Sequence, residues 1–277
     1  MICYLDIDLL KKVMHPSNSA IVLSIASVVV VSIQSCSPIL YSATGQNVPL
    51  FKNKGEVAIS GGLCWGKNDE GDALGGNIQG AVAIDSTWAV MSSLYSMKGP
   101  VETFYLGKQS PTTSNGNYVE AGLGKFKYWP RPKLTGEIFL GTGFGSIKNK
   151  IIDERLEAKF IKPFVQPSIG YGGRIFEVAL TGRVGLVSFT SNTNTLSDPD
   201  QRAEAEKFFN EKHSTMVFEP GLTFRGGYKS VKGQFQYCFS SFSYHSGKYA
   251  PMYQNYISFG FTVLFSKPWK NNKPTAN

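Results

Sequence analysis

Residues 257–265 read Ile257-Ser258-Phe259-Gly260-Phe261-Thr262-Val263-Leu264-Phe265, where every odd position is apolar and every even position except Leu264 is small or polar. Successive side chains of a β-strand point to opposite faces of the sheet, so this alternation predicts a strand with one apolar and one polar face. The pattern recurs along most of the chain, in segments joined by alternately long and short connections. This combination is typical of a closed transmembrane β-barrel.

The fold class that we predict is therefore all-β: a closed, antiparallel, up-and-down transmembrane β-barrel of about ten strands within residues 55–266. A hydrocarbon core cannot satisfy an open sheet edge, so the first strand must pair with the last. The sixth strand, near residues 160–171, is the least secure because Pro163 and Pro167 each lack a backbone donor. Nine aromatic residues near predicted strand ends are expected at headgroup level: Trp65, Trp88, Tyr95, Tyr128, Trp129, Tyr171, Tyr228, Tyr244 and Tyr256.

The connections predict the orientation of the barrel. Long ones are expected around residues 67–71, 98–116, 148–159, 190–212 and 241–255, with a short loop helix within 203–209, and the others are turns of a few residues. Outer-membrane barrels have long external loops and short periplasmic turns. An even strand number then places both ends of the barrel domain on the periplasmic side, and residues 267–277 are expected to be a polar periplasmic tail.

Composition excludes several classes of protein. The chain has 277 residues, of which 42% are hydrophobic and 17% charged, with a net charge of +8. Outside the N-terminus no apolar run reaches the roughly 18 residues of a membrane-spanning helix. Lys and Arg are spread over turns, loops and tail, without the clustered basic stripe of a nucleic-acid binder. We therefore expect no nucleic-acid partner and only a weak attraction to anionic lipid headgroups.

The N-terminus has the features of a secreted lipoprotein. Lys11 and Lys12 precede the apolar stretch Ile21–Ile33, and residues 1–35 are interpreted as a signal peptide, with Met14 as an alternative start. Ile33-Gln34-Ser35-Cys36 resembles the bacterial lipobox, which implies lipidation of Cys36 and makes residues 36–54 a lipid-anchored tether. The alternative is a buried hydrophobic strand or helix followed by an ordinary cysteine.

A second resemblance lies just after this cysteine. Cys36 is followed by Tyr41, by Asn47-Val48-Pro49-Leu50-Phe51 and by Lys54-Gly55-Glu56 at the start of the first strand. This order resembles a group of outer-membrane β-barrel lipoproteins, and the alternation gives a general likeness to small OmpA-type barrels. The resemblance implies a fold and an outer-membrane location, but no chemistry.

The inward faces of the strands carry an unusual set of ionisable residues: Glu56, Glu120, Glu137, Glu177, Arg183, Glu219, Arg225 and Lys232. They could line an ion-selective pore or hold a polar ligand. We favour a structural network that fills a narrow lumen, because isolated buried charges are costly and barrels of this size are filled by side chains. Cys64 and Cys238 also face inward, about 9–10 Å apart at ~4.8 Å per strand, so we expect free thiols.

The function that we predict is non-catalytic: a structural, adhesion or ligand-binding role at the external loops, with outer-membrane lipids and a small or lipidic ligand or surface partner, in a monomer. No metal or other cofactor is expected, because the three His are far apart. One alternative is a soluble periplasmic lipocalin-like barrel, with the Phe-rich face lining an apolar cavity. Another is an outer-membrane lipid esterase or deacylase, with His245 and Ser246 as first candidates beside His213 and Ser214.

Overall fold

The computed structural model describes residues 39–68, 71–105, 108–151, 154–196, 199–211, 214–228, 230–242 and 252–266. Four short elements within these ranges are β1 (Tyr41–Ser42), α1 (Pro199–Glu211), β11 (Ser241–Phe242) and β12 (Met252–Tyr253). Ten longer strands form one sheet. They are β2 (Val57–Asn68), β3 (Gly71–Ala83), β4 (Trp88–Tyr105), β5 (Lys108–Trp129), β6 (Leu134–Ile151), β7 (Glu154–Gly172), β8 (Phe176–Asn194), β9 (Ser214–Tyr228), β10 (Val231–Phe239) and β13 (Asn255–Phe265).

The sheet closes on itself. Each long strand pairs antiparallel with the next, and the last strand, β13, pairs with the first, β2, from Asn255↔Lys67 to Phe265↔Val57. The predicted closed, antiparallel, up-and-down barrel of ten strands is therefore confirmed.

Large apolar side chains cover the outside of the barrel. Leu63, Ile78, Leu140, Leu180 and Phe261 are at least 59% exposed and come from five different strands. The alternate positions face the lumen and are mostly polar and buried. This is the distribution of a transmembrane barrel, and it is the reverse of the face assignment that the lipocalin-like alternative requires.

The two ends of the barrel differ. At one, which we call the turn end, the strands are joined by short connections at residues 84–87, 130–133 and 173–175, and Tyr228 of β9 pairs with Val231 of β10. At the other, the extended end, strands continue as paired ribbons: β4 and β5 pair from Lys98↔Asn115 to Tyr105↔Lys108, and β6 and β7 pair from Lys148↔Glu157 to Ile151↔Glu154. The prediction of long loops at 98–116 and 148–159 is therefore wrong. Strands were assigned from apolar alternation, which marks only the part of a strand whose outer face is apolar.

Strand β7 contains both prolines that made its prediction insecure. It is continuous over Glu154–Gly172, and its pairing with β6 includes Pro167↔Ile138 and Pro163↔Thr142. Pairing with β8 skips residues 162–163 and 166–167. Because proline has no backbone N–H, a ladder must lose a bond at each of these positions. The missing pairs lie between β7 and β8, whereas the pairing of β7 with β6 is retained at both prolines.

Residues 39–52, which belong to the tether that we predict at 36–54, lie inside the barrel. Ile39, Tyr41, Val48 and Phe51 are at most 1% exposed, and none of them belongs to a barrel strand. The segment turns back at the turn end, where Gly55 N donates to Ala83 O, and then enters β2. We call residues 39–52 the luminal segment. Sequence alternation could not reveal it, since an extended chain enclosed on all sides has no outer face.

The aromatic residues divide between the two faces. Trp65, Trp88, Trp129, Tyr171 and Tyr228 are at least 38% exposed, as expected for headgroup level. Tyr95 and Tyr256 are buried in the lumen instead, so their prediction was wrong. Their hydroxyls bond luminal groups: Tyr95 donates to Gly45 O, and Asn77 donates to Tyr256 at 2.5 Å.

Helix α1 extends across the range of the predicted loop helix and packs on the extended end. Its Phe209 lies in a buried cluster with Leu40, Leu156 and Ala158, and its ring is 5.6 Å from that of Phe189. No helix among the described residues is long and apolar enough to cross a membrane. The predicted signal peptide, Cys36 and the tail at 267–277 lie outside the described residues.

Candidate functional site

The lumen is the part of the described structure where ionisable side chains converge. The seven residues that we predict as an interior polar network are all at most 6% exposed: Glu120, Glu137, Glu177, Arg183, Glu219, Arg225 and Lys232. Strands β5, β6, β8, β9 and β10 supply them. They form two clusters, one at mid-height and one near the turn end.

Arg183 is the centre of the mid-height cluster. Its two terminal nitrogens each bond one oxygen of Glu120 at 3.0 Å, and its Nε donates to Gln166 Oε1 at 3.0 Å. Glu219 lies 3.8 Å from Arg183 and accepts a 3.0 Å bond from Lys162 Nζ. All four charged side chains are completely buried. Two carboxylates thus balance two cations, as burial of charge requires.

Tyr41 ties the luminal segment into this cluster. Its hydroxyl donates to Glu219 Oε1 at 2.7 Å and accepts a 2.7 Å bond from Lys162 Nζ. Ser240 also donates to Glu219 Oε1, at 2.8 Å. The tyrosine is therefore part of the ionic network, and residue 41 is held at a fixed height in the barrel.

The second cluster joins the turn end to the segment. Glu177 accepts from Lys232 at 2.6 Å and lies 3.6 Å from Arg225. Arg225 donates to Val48 O at 2.7 Å and to Gln234 Oε1 at 2.8 Å. Glu137 accepts a 3.1 Å bond from Phe51 N.

Inward side chains bond the backbone of the luminal segment at Ile39 and at successive residues from Gly45 to Val48. Donors from the barrel reach five of its carbonyls: Asn149 to Ile39, Tyr95 to Gly45, Gln236 to Gln46, Gln166 to Asn47 and Arg225 to Val48. Gln46 N donates to Gln236 Oε1 at 2.9 Å, so Gln236 bonds both groups of one residue. A buried backbone needs such partners, which a neighbouring strand usually supplies. Here side chains replace the strand, and the lumen is a binding site for an extended peptide.

The strands leave room for this peptide by placing glycine on the inward face. On β6, a Cβ at Gly143 would meet Tyr118 Oη at 2.0 Å, and one at Gly145 would meet the ring of Phe160 at 2.1 Å. The interior face of β6 is therefore crowded at these two glycines. The rings of Tyr118 and Phe160 stack with centroids 6.0 Å apart beside Tyr41.

Sequence reasoning missed several participants. Lys162 is completely buried but directly precedes Pro163, one of the two prolines that made β7 insecure, so its face was not assigned. Gln166, for the same reason, was not recognised as inward. Tyr41 and Gln46 were placed outside the barrel with the tether. A signal was available: the alternation Phe160, Lys162, Phe164, Gln166 and Ser168 has the period of a strand face.

Other predicted features have separate outcomes. Cys64 and Cys238 are buried free thiols, as predicted. His213, His245 and Ser246 lie outside the described residues; the hydroxyl of Ser214 is 2.8 Å from that of Ser188. Among the described residues no group of His, Cys, Asp and Glu could hold a metal ion.

Comparison with known proteins gives little further information. No family model matches the chain, and no curated protein sequence matches it. Among solved structures, it is similar to the transport unit of the autotransporter AIDA-I from Escherichia coli, with a TM-score of 0.33 and 10% identity. The match covers 80% of this chain and 93% of that one. A score and an identity this low do not indicate a shared function.

Proposed function

We propose that the chain is an outer-membrane barrel whose lumen is closed by its own luminal segment. It acts as a non-conducting scaffold that presents its extended end at the cell surface, with a role in envelope integrity, adhesion or binding of a small or lipidic ligand. The observation that carries this proposal is the set of hydrogen bonds between the luminal segment and the barrel wall.

The outer surface supports the membrane location. Apolar side chains from all ten strands form a continuous belt, and a closed barrel leaves no sheet edge to be satisfied inside the bilayer. Trp65, Trp88 and Trp129 lie on the outward face near the limits of this belt. Outer-membrane lipids are then the first partner of the protein, and a monomer is sufficient because the barrel is complete in one chain.

The occupied lumen argues against a permanently open pore. Glu120, Arg183, Lys162 and Glu219 meet across the interior at mid-height, and Tyr41 fills the space beside them. An ion would have to displace both the segment and a balanced ionic network. The charged interior is therefore explained by binding of the segment, without a selective channel.

Two measurements on the full chain test the proposal. Gel mobility before and after boiling should differ, because a folded membrane barrel resists SDS until heated. Planar bilayers containing the folded protein should show no steady conductance, whereas a variant lacking residues 39–51, if its folded band persists, should conduct. A band that never shifts and stays soluble without detergent would refute the membrane location. Steady open-channel current from the intact chain would refute the closed lumen.

A further inference from the structure

Two contacts with strand β6 give the direction of the luminal segment. Ile39 O accepts a 2.7 Å bond from Asn149, near the extended end of β6, and Phe51 N donates to Glu137, near the turn end of the same strand. Residues 39 and 51 are as far apart in sequence as residues 137 and 149. The segment therefore runs antiparallel to β6 through the whole lumen, over about 40 Å at ~3.4 Å per residue.

Two further contacts place the start of the segment at the extended end. Leu40 is buried against Leu156, near the extended end of β7, and Phe209 of α1. β1 pairs in parallel with β12, which precedes the extended end of β13, and Ala43 N donates to Tyr253 O at 3.0 Å. Three independent parts of the extended end thus surround residues 39–43.

This position lies beyond the apolar belt. Phe144 is the last large apolar outward residue of β6, and the outward residues Lys148 and Lys150 follow it. Asn149 is five residues beyond Phe144, or about 17 Å along the strand at ~3.4 Å per residue. With a strand tilt of roughly 35–45°, Ile39 is bound about 12–14 Å past the belt. The chain that precedes Ile39 is covalently attached at that height.

We propose that the part of the chain preceding Ile39 is presented on the extended face of the barrel. This inference rests on the proposed function for its cellular meaning: in an outer-membrane orientation, the extended face is the cell surface. The luminal segment is the conduit that carries the N-terminal region across.

The inward side chains of the barrel fix the direction in which the luminal segment runs through the lumen. Donors on β4, β6, β7, β9 and β10 meet the carbonyl of Ile39 and the four successive carbonyls from Gly45 to Val48, whereas the carboxylates of Glu137 and Glu56 meet the N–H groups of Phe51 and Lys52. A segment that only tethered the barrel from the periplasmic side would not need these partners.

Cysteine labelling on intact cells tests the inference. A single cysteine inserted between Ser37 and Pro38 reports the N-terminal region, Asn192→Cys reports the extended end, and Ser86→Cys reports the turn end; residues 86 and 192 are exposed. A membrane-impermeant maleimide is added before or after permeabilisation, and the unmodified chain gives the background. Only variants whose folded band shifts on boiling are compared.

The inserted cysteine should be labelled together with Asn192→Cys and before permeabilisation, whereas Ser86→Cys should need permeabilisation. Labelling of the inserted cysteine together with Ser86→Cys, and apart from Asn192→Cys, would overturn the inference. If Ser86→Cys is labelled on intact cells and both other sites are not, the proposed cellular orientation fails. The N-terminal region then still shares the extended face, so the two failures are distinguishable.

Discussion

Arg183 and Glu120 form a two-bond ion pair with 3.0 Å distances in the middle of the lumen, where both side chains are completely buried. Gln166 bonds the same guanidinium through Oε1 and, through its amide nitrogen, the carbonyl of Asn47. The ion pair and the luminal segment are therefore parts of one network, and a change in either affects the other.

Removal of one partner of this pair should be costly. Arg183→Met leaves the carboxylate of Glu120 buried without its cation, and we expect a loss of about 3–5 kcal/mol in the free energy of unfolding. The double variant with Glu120→Met should lose much less, because no uncompensated charge remains. Urea unfolding in detergent micelles, followed by gel mobility, measures both.

The matched control is the pair Lys148–Glu157 at 3.3 Å, whose lysine is 52% exposed. Lys148→Met should change the free energy of unfolding by about 0–1 kcal/mol. Equal effects of Arg183→Met and Lys148→Met would show that the luminal pair does not stabilise the barrel.

The closing seam between β2 and β13 depends on two facing glycines. Gly62 pairs with Gly260, and a Cβ at Gly62 would lie 2.2 Å from the backbone oxygen of Phe259. Because backbone cannot rotate away as a side chain can, we expect Gly62→Ala to cost about 1–3 kcal/mol and to lower the folded fraction. Gly80→Ala is the control, since nothing lies within 4 Å of its Cβ position. A folded fraction of Gly62→Ala equal to that of Gly80→Ala would contradict the importance of close approach at the seam.

The sequence predicts those parts of the strands that have an apolar outer face and a polar inner face. Where one face is apolar and the other polar, as in Ile257–Phe265, alternation identified the strand and its faces, and it placed Glu120, Arg183 and Glu219 in the lumen. Beyond the belt the outward positions of a strand are polar, so the ribbon around Lys98 and Asn115 has no apolar period on its outer face.

The luminal segment was missed for a related reason. Most of its residues are buried, and its polar groups bond to side chains far away in sequence, such as Tyr41 to Glu219 and Gln46 to Gln236. No local pattern encodes these partners. The interior set of Glu, Arg and Gln indicated that the lumen was polar, but the identity of the group that it binds required the fold.

The turn at Asp85, at the turn end of the barrel, should contribute to the stability of the fold in a pH-dependent way. Asp85 Oδ1 accepts 2.6 Å bonds from Thr87 N and Trp88 N, and these bonds lower the pKa of the exposed Asp85 carboxyl from its ordinary value. A depressed pKa in the folded state means that the carboxylate stabilises the fold above its unfolded-state pKa and that this contribution is lost as pH falls through the folded pKa.

Asp85→Ala should therefore lower the urea midpoint slightly at about pH 7, and the difference from the unmodified chain should shrink below about pH 4, the ordinary range of an aspartate. Urea titrations of the detergent-solubilised barrel across this interval provide the comparison. A difference that grows on acidification would have the wrong sign for this turn.

Contact between the apolar outer face and lipid can be tested by placing one lysine within the apolar belt and another beyond it. Phe261 is 68% exposed on the outside of β13, in the middle of its apolar positions. If this surface meets hydrocarbon, Phe261→Lys should cost about 2–4 kcal/mol in lipid vesicles, because lysine is expelled from the bilayer midplane. Asn117→Lys, exposed on β5 beyond Val119, should cost about 0–1 kcal/mol. Urea unfolding from vesicles gives both values, and a Phe261→Lys barrel as stable as Asn117→Lys would mean that water, not acyl chains, surrounds the phenylalanines.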